Sequence, residues 1–578
     1  MYIRSIKKIY QILTNKEKLI VLIFFISSFI GIIIETISIG TIIPIVSIIN
    51  ESNFSSGVEF IDENIFFKFN NLNLNEKVFL IIKFLIILFS IRFVIQLIIL
   101  KIRVNFIFTV TLGLQKRLMY KFMNLKWLDY SGQGTKLVRN IQSDTGMFKS
   151  SVLGPLMDFF SEIILFSVII CFLMIYNPVV TFTAISIFFI ILFTINLFSK
   201  KKLKKLSKIR TSILDNQVRT VYEIISNIKD ITINFKKKFY YKKFNYFNTE
   251  NLNISKNYTF ITALPRPIIE FTIILLICLL IFTAYLLSYD NVEIIKILGL
   301  FVGAAYKLGP SASKILNATQ SFRLGKVILE NIHRELNDLS VKKKFFEEVK
   351  KIKFKNKIEF KDISFHYPKN KKKVILNKLN FIIKKSSKIA IIGLSGAGKS
   401  TFIDIVAGLI EPNKGNIFVD NLRKNLNEIS WRKNINYISQ SSSLFDDTIK
   451  NNITFEKKLN NKENQQLKKI IEICLLDKFI QSKKDKINSN LGELNSKQIS
   501  GGEKQRLLIA RALFAKPEIL ILDEATNALD PQTSNKLISN IKKYYKKTTI
   551  IFISHNYKHL NLCDSIYKLQ NKKFKKIK

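Results

Sequence analysis

The residues best placed to do chemistry run Gly393-Leu-Ser395-Gly396-Ala-Gly398-Lys399-Ser400-Thr401. An apolar run, Ile389 to Ile392, precedes them, and a helix-like run, Thr401 to Ala407, follows. In that strand, loop and helix context the spacing GxxxxGK[ST] predicts a phosphate-binding loop. Glycines let backbone N–H groups close around phosphate oxygens, and the helix N-terminus adds partial positive charge. Lys399 can reach terminal phosphates, and the Ser400 hydroxyl can take one position on Mg2+. The plain alternative is a flexible glycine loop with a chance lysine, and the flanking strand and helix argue against it.

Further groups follow in order. Tyr367, in Phe365-His-Tyr367, precedes the loop by about the distance an aromatic face needs to stack on a base, although an aromatic near a strand end is usually core. Gln440 ends the apolar run Ile438-Ser-Gln440. Ser500-Gly501-Gly502-Glu503 opens a helix through Ala512 and makes a second anion-binding helix end. The apolar strand Ile519 to Leu522 ends in Asp523-Glu524, where Asp523 suits a Mg2+ shell and Glu524 a general base for water. Asp530 comes next in Ala528-Leu-Asp530, and His555 ends the strand Thr549 to Ser554.

In this order the groups resemble the nucleotide-binding domain of ATP-binding cassette transporters, over roughly Ile358 to Leu569. The resemblance implies ATP and Mg2+ as cofactors. It implies Tyr367 against adenine, Gly393 to Thr401 around the phosphates, and Gln440 and Asp523 at the metal. It implies Glu524 as the base, assisted by His555, with Asp530 and Ser500 to Gly502 completing the nucleotide site of a partner copy. The active unit is then a dimer, expected to be a homodimer. The chain departs from the family pattern at Ile499 and Glu503, where Leu and Gln are usual, at Ser386-Ser387, and at Asn556 after His555.

The elements that must position these groups occupy only part of 578 residues. Apolar residues make up 48% and charged residues 23%, a combination that requires the two kinds to be segregated along the chain. The net charge of +47 invites a nucleic-acid reading, but lysine is abundant throughout, so no nucleic-acid partner is expected. Four scattered cysteines, without CxxC or metal spacing, predict reduced structural thiols. Apolar spans are predicted near 19–49, 78–100, 157–175, 179–198, 268–287 and 294–322. The loops 101–150 and 200–256 are strongly basic, whereas 51–77 is mildly acidic, so by charge asymmetry both termini face the cytoplasm. Both basic loops are too long for turns; the spans are expected to run on as helices and turn near 125–144 and 225–235. The fold class expected is an exporter-type bundle of six transmembrane helices (1–330), a linker (331–357) and a cytoplasmic α/β P-loop domain (358–578).

Ionisable residues within the spans include Glu35, Lys83, Arg92, Arg266, Glu270, Lys307 and Lys314. Lysines near span ends often snorkel. A predominance of basic groups also suits an anionic group crossing the bilayer, with Arg92, Arg266, Lys307 and Lys314 as candidate cavity residues. The segments Glu35 to Pro44, Ala263 to Glu270 and Tyr306 to Lys314 resemble the lipid-linked oligosaccharide flippase of bacterial protein N-glycosylation, as does the outer loop 51–77 in having room for a short helix. That resemblance implies a multi-pass protein of the bacterial inner membrane flipping a polyprenyl-pyrophosphate oligosaccharide. The alternatives are export of a lipid A-like glycolipid, a drug or a peptide, and a cassette ATPase that transports nothing.

Overall fold

The computed structural model describes residues 2–41, 74–130, 134–176, 178–286, 291–337, 351–352, 354–368, 370, 372–440, 442–455, 458–491, 499–553 and 563–578. They fall into two compact units: Met1–Leu125 with Ser131–Lys342, and Lys126–Tyr130 with Lys343–Lys578. The outer loop, Pro44, His555 and Asn556 lie outside the described residues.

The first unit is helical. Its main elements are α1 (Tyr2–Ile12), α2 (Asn15–Gly40), α3 (Leu74–Met123), α4 (Gly154–Tyr176), α5 (Pro178–Ser226), α6 (Lys237–Ala263), α7 (Pro265–Leu286) and α8 (Asn291–Asn337). Proline opens α5 and α7, where its missing N–H costs nothing and its fixed φ suits the first turn. At 50 residues α3 is about 75 Å long, more than twice a hydrocarbon core of about 30 Å. The chain breaks after Met123 and again at Asn227, where short helices Trp127–Tyr130 and Ile228–Ile233 follow, so both expected turns are present. Among the described residues five segments are long and apolar enough to cross a membrane: 15–38, 78–123, 136–176, 178–200 and 237–279. The sixth expected span falls on α8, which runs on to Asn337. Helix α8 packs on α4 and α7, α2 on α3, and α5 on α6. Ile169 and Leu173 of α4 bury against Leu300, Phe301 and Ala304 of α8.

The second unit carries two sheets. Strands β1 (Lys357–His366), β2 (Val374–Lys384), β4 (Lys414–Val419) and β5 (Leu422–Arg423) form an antiparallel sheet in the order β2-β1-β4-β5. The other sheet runs β10-β9-β3-β8-β7-β6, from β3 (Lys388–Ile392), β6 (Ile435–Ile438), β7 (Ile519–Asp523), β8 (Thr549–Ile553), β9 (Ser565–Gln570) and β10 (Lys573–Lys576). Only β10 is antiparallel there. Every residue of β3 and β8 is buried, as continuous apolar runs are when helices cover both faces of a parallel sheet. The covering helices include α9 (Lys399–Val406), α10 (Asn461–Ile473), α11 (Gly501–Phe514) and α12 (Pro531–Tyr544). Trp431 is fully buried, and its indole N–H donates to the Val406 carbonyl at 2.9 Å, tying the short helix Ile429–Arg432 before β6 to the end of α9. Ser386, at a position where glycine is usual, adopts the left-handed φ of +62°. Its N–H donates to Thr549 Oγ1 at 2.9 Å and its hydroxyl to the Lys547 carbonyl at 3.0 Å, which offsets part of the strain.

Candidate functional site

The phosphate-binding loop leaves the C-terminal end of β3 and enters α9. Gly398, the N-cap, has φ +102°, and a Cβ there would meet Ile375 Cγ2 at 3.0 Å, so both backbone and space demand glycine. The buried Lys399 curls back, its ammonium donating to the carbonyls of Gly393 at 2.7 Å and Leu394 at 2.9 Å. Burial lowers its pKa, and the carboxylates of Asp523 and then Glu524 oppose the shift. Ser395, Gly396 and Ser400 are exposed, leaving loop and hydroxyl open to a phosphate and its metal. Thr401 is buried and holds Tyr367, their hydroxyls 3.1 Å apart. The Tyr367 ring meets Phe365 edge-on and is partly exposed, as a base-stacking platform requires.

At the end of β7, Asp523 and Glu524 project into a cleft of about 390 Å3 that Gln440, Gly501, Gln505 and Asn527 also line. The Gln440 and Asn527 side-chain amides each donate to Glu524 Oε2 at 3.0 Å. Glu524 takes a left-handed φ of +53°, unusual for a residue with a side chain, while its N–H donates to the Ile553 carbonyl at 3.0 Å. Such strain costs of order 1 kcal/mol and persists where surrounding bonds fix it. The Tyr437 hydroxyl donates to Asp523 Oδ2 at 3.0 Å, fixing that carboxylate at the end of β7. Asp404, one turn into α9, is pushed up to about 6 by burial and then by the charge of Asp523. A divalent cation near Asp523 and Ser400 fits this excess of carboxylate. Tyr437, Asn527, Gln505 and Asp404 were not singled out from sequence. Tyr437 and Asn527 carry the sequence signal of lying near the ends of β6 and β7, whereas Asp404 and Gln505 lie within α9 and α11.

Ser500 is the N-cap of α11, and Glu503 reaches back to it. The Glu503 N–H donates to Ser500 Oγ at 3.2 Å and the Ser500 N–H to Glu503 Oε2 at 2.8 Å. The atypical Glu503 therefore completes a capping box. Gly501 and Gly502 lie against Ala528 and Leu529. Asp530 caps α12, accepting from the Thr533 N–H at 2.9 Å, a bond that lowers its pKa.

With that geometry in place, residues 376–527 match the ABC transporter family model. A candidate export ATP-binding/permease protein of Rickettsia bellii (strain RML369-C) is 40% identical over 212 residues, 36% of this chain and 36% of the relative. The human ATP-binding cassette sub-family B member 5 is 37% identical over 215 residues, 37% of this chain and 17% of that one. The alignments thus span about a third or less of the length of these relatives. The structure of a bacterial Atm1-family ABC exporter with ATP bound superposes with a TM-score of 0.73 at 16% identity, covering 97% of this chain and 95% of the other.

The chain has an ABC exporter fold. Its cassette is an ATP-binding domain of the ABC transporter type, with ATP and Mg2+ as the usual cofactors.

The four candidate cavity residues of the helical unit are each met by a carboxylate. Arg92 and Lys307 both reach Glu35 Oε1 at 2.7 Å. Lys314 reaches Glu162 at 2.6 Å, and Arg266 pairs with Glu270 at 2.9 Å on an exposed face. Arg266 and Lys314 line a cavity of about 750 Å3 between α7 and α8, with Glu270, Tyr306, Ser313 and Asn317 and an apolar wall that includes Ile273, Ile277 and Val302. Arg92 and Lys307 are drawn instead to Glu35, which faces a neighbouring cavity of about 200 Å3 that Asp158, Glu162 and Lys314 also line. Glu162, Arg103 and Asp158 were missed from sequence. Arg103 and Asp158 pair at 2.6 Å.

Proposed function

We propose that the chain is an ATP-driven half-transporter, working as a homodimer in the bacterial inner membrane with both termini cytoplasmic, that flips a polyprenyl-pyrophosphate oligosaccharide. In the cassette, Lys399 and the loop N–H groups would hold the phosphates, and Ser400 and Asp523 the metal, with Gln440 nearby. Mg2+ supplies neutralisation of charge building on the transferred phosphoryl group. Glu524, held by Gln440 and Asn527, would accept the proton of the attacking water. His555 would assist, and Ser500 to Gly502 and Asp530 would face the nucleotide of the partner copy. ATP hydrolysis would then be coupled to movement of the cargo.

The observation carrying the cargo reading is the cavity between α7 and α8. Its Arg266 and Lys314 suit an anionic headgroup and its Ile273, Ile277 and Val302 an apolar tail. A generic exporter of another amphipathic cargo fits the same lining. The test is ATPase activity and flipping in proteoliposomes, with and without a polyprenyl-pyrophosphate oligosaccharide. ATP-dependent flipping abolished in Glu524→Gln is the expected result. ATPase turnover near that of the parent in Glu524→Gln would overturn the assignment of the base. Robust ATPase without flipping would discard the cargo.

A further inference from the structure

We propose that Glu35 is a built-in counter-ion that competes with the cargo's anionic group for Arg92 and Lys307, and so sets how tightly that group is held and how readily it leaves. The inference rests on reading the helical unit as carrying an anionic lipid, whose site adjoins this cluster because Lys314 lines both the cavity of Arg266 and the one that Glu35 faces. Two cations converge on one oxygen, Glu35 Oε1, each at 2.7 Å. The Arg92 and Glu35 side chains are 12% and 11% exposed, so water does little to compensate the charge. The neighbouring pairs, Lys314 with Glu162 and Arg103 with Asp158, are each balanced. The cluster on Glu35 therefore keeps one excess positive charge. It also keeps a buried donor in need of an acceptor: among the described residues the Arg92 Nε–H has no partner, although its other nitrogens reach Glu35 and Ser38 Oγ. Excess charge and an unused donor on the same guanidinium are what an incoming anion would satisfy.

Glu35 opposes that anion. It occupies the same cations and repels each negative charge brought to them. At an effective dielectric of about 40, between that of the interior and water, and a separation of about 6 Å across a shared cation, a carboxylate weakens binding roughly tenfold per ligand charge. Without that carboxylate a doubly charged headgroup would be held more tightly and leave more slowly. The carboxylate bridging α2 to α3 and α8 supplies the anion that replaces it when it departs.

The test measures affinity of the full-length protein in lipid nanodiscs for three probes: uncharged polyprenol, a polyprenyl-phosphoryl sugar with one charge, and a polyprenyl-pyrophosphoryl sugar with two. Glu35→Gln is expected to leave polyprenol unchanged, tighten the singly charged lipid about tenfold and the doubly charged one about a hundredfold. Glu35→Asp, which keeps the charge, should behave as the parent. Because Glu35→Gln leaves two cations unbalanced, the comparison is repeated in a Lys307→Gln background, where the same order is expected. Equal changes for all three probes, or none in either background, would overturn the proposal. Charge-graded gains seen with phosphatidylglycerol while neither polyprenyl lipid binds would keep the counter-ion and overturn the cargo.

Discussion

Glu503 stands where the resembling family has glutamine, and the structure gives it a measurable task. It is the third residue of α11, and its carboxylate accepts from the Ser500 N–H at 2.8 Å. Glu503→Ala removes that acceptor, leaving the N–H of the N-cap residue Ser500 without it. Losing the cap bond costs about 1 kcal/mol, and losing a negative charge from the first turn costs about 0.5 kcal/mol more. Together these are about a tenfold rise in opening of the first turn. Glu503→Gln keeps an acceptor oxygen and loses only the charge, so opening should rise about two- to threefold. Hydrogen–deuterium exchange of the peptide spanning Gly501–Phe514 reads this directly, with α12 as an internal reference. The expected order of protection is Glu, then Gln, then Ala. Protection in Glu503→Ala equal to the parent would refute the capping role. Equal loss in both variants would show that charge rather than the hydrogen bond matters.

Two further expectations concern the cassette's stability. Burial and the Asp523 charge hold Asp404 near 6, above its ordinary 3.8, so the fold favours the protonated acid. The resulting cost is absent below about pH 4, grows as pH rises, and is complete above about pH 6. After discounting for partial exposure, Asp404→Asn should stabilise the cassette by about 1 kcal/mol at pH 8 and by nothing at pH 4, a gap read from melting curves across pH. Gly408 follows α9 with φ +66°, and a Cβ there would sit 2.1 Å from the Leu426 carbonyl oxygen. Gly408→Ala should therefore cost at least about 2 kcal/mol, measured by denaturant midpoint, and a loss below about 0.5 kcal/mol would refute it.

The sequence by itself determined what depends on neighbours along the chain. A loop that cradles phosphate needs glycines and a lysine within one turn, so Gly393 to Thr401 could be read directly, as could the paired carboxylates that end β7. Five apolar segments, and the helix breaks after Met123 and at Asn227, were legible in hydropathy and charge, because a bilayer selects for length and sign rather than for particular contacts. Only the tertiary structure decided which distant groups meet. Gln440 meets Glu524, and Tyr437 meets Asp523, through the side-by-side pairing of β6 and β7, which no spacing in the chain encodes. Basic residues in the spans were legible one at a time as cations. That Arg92 and Lys307 share Glu35, while Lys314 takes Glu162, depends on how α2, α3, α4 and α8 are packed. The physical reason is the same in both units: local backbone chemistry is written in consecutive residues, whereas a buried charge finds its partner only when separate elements come together and exclude water.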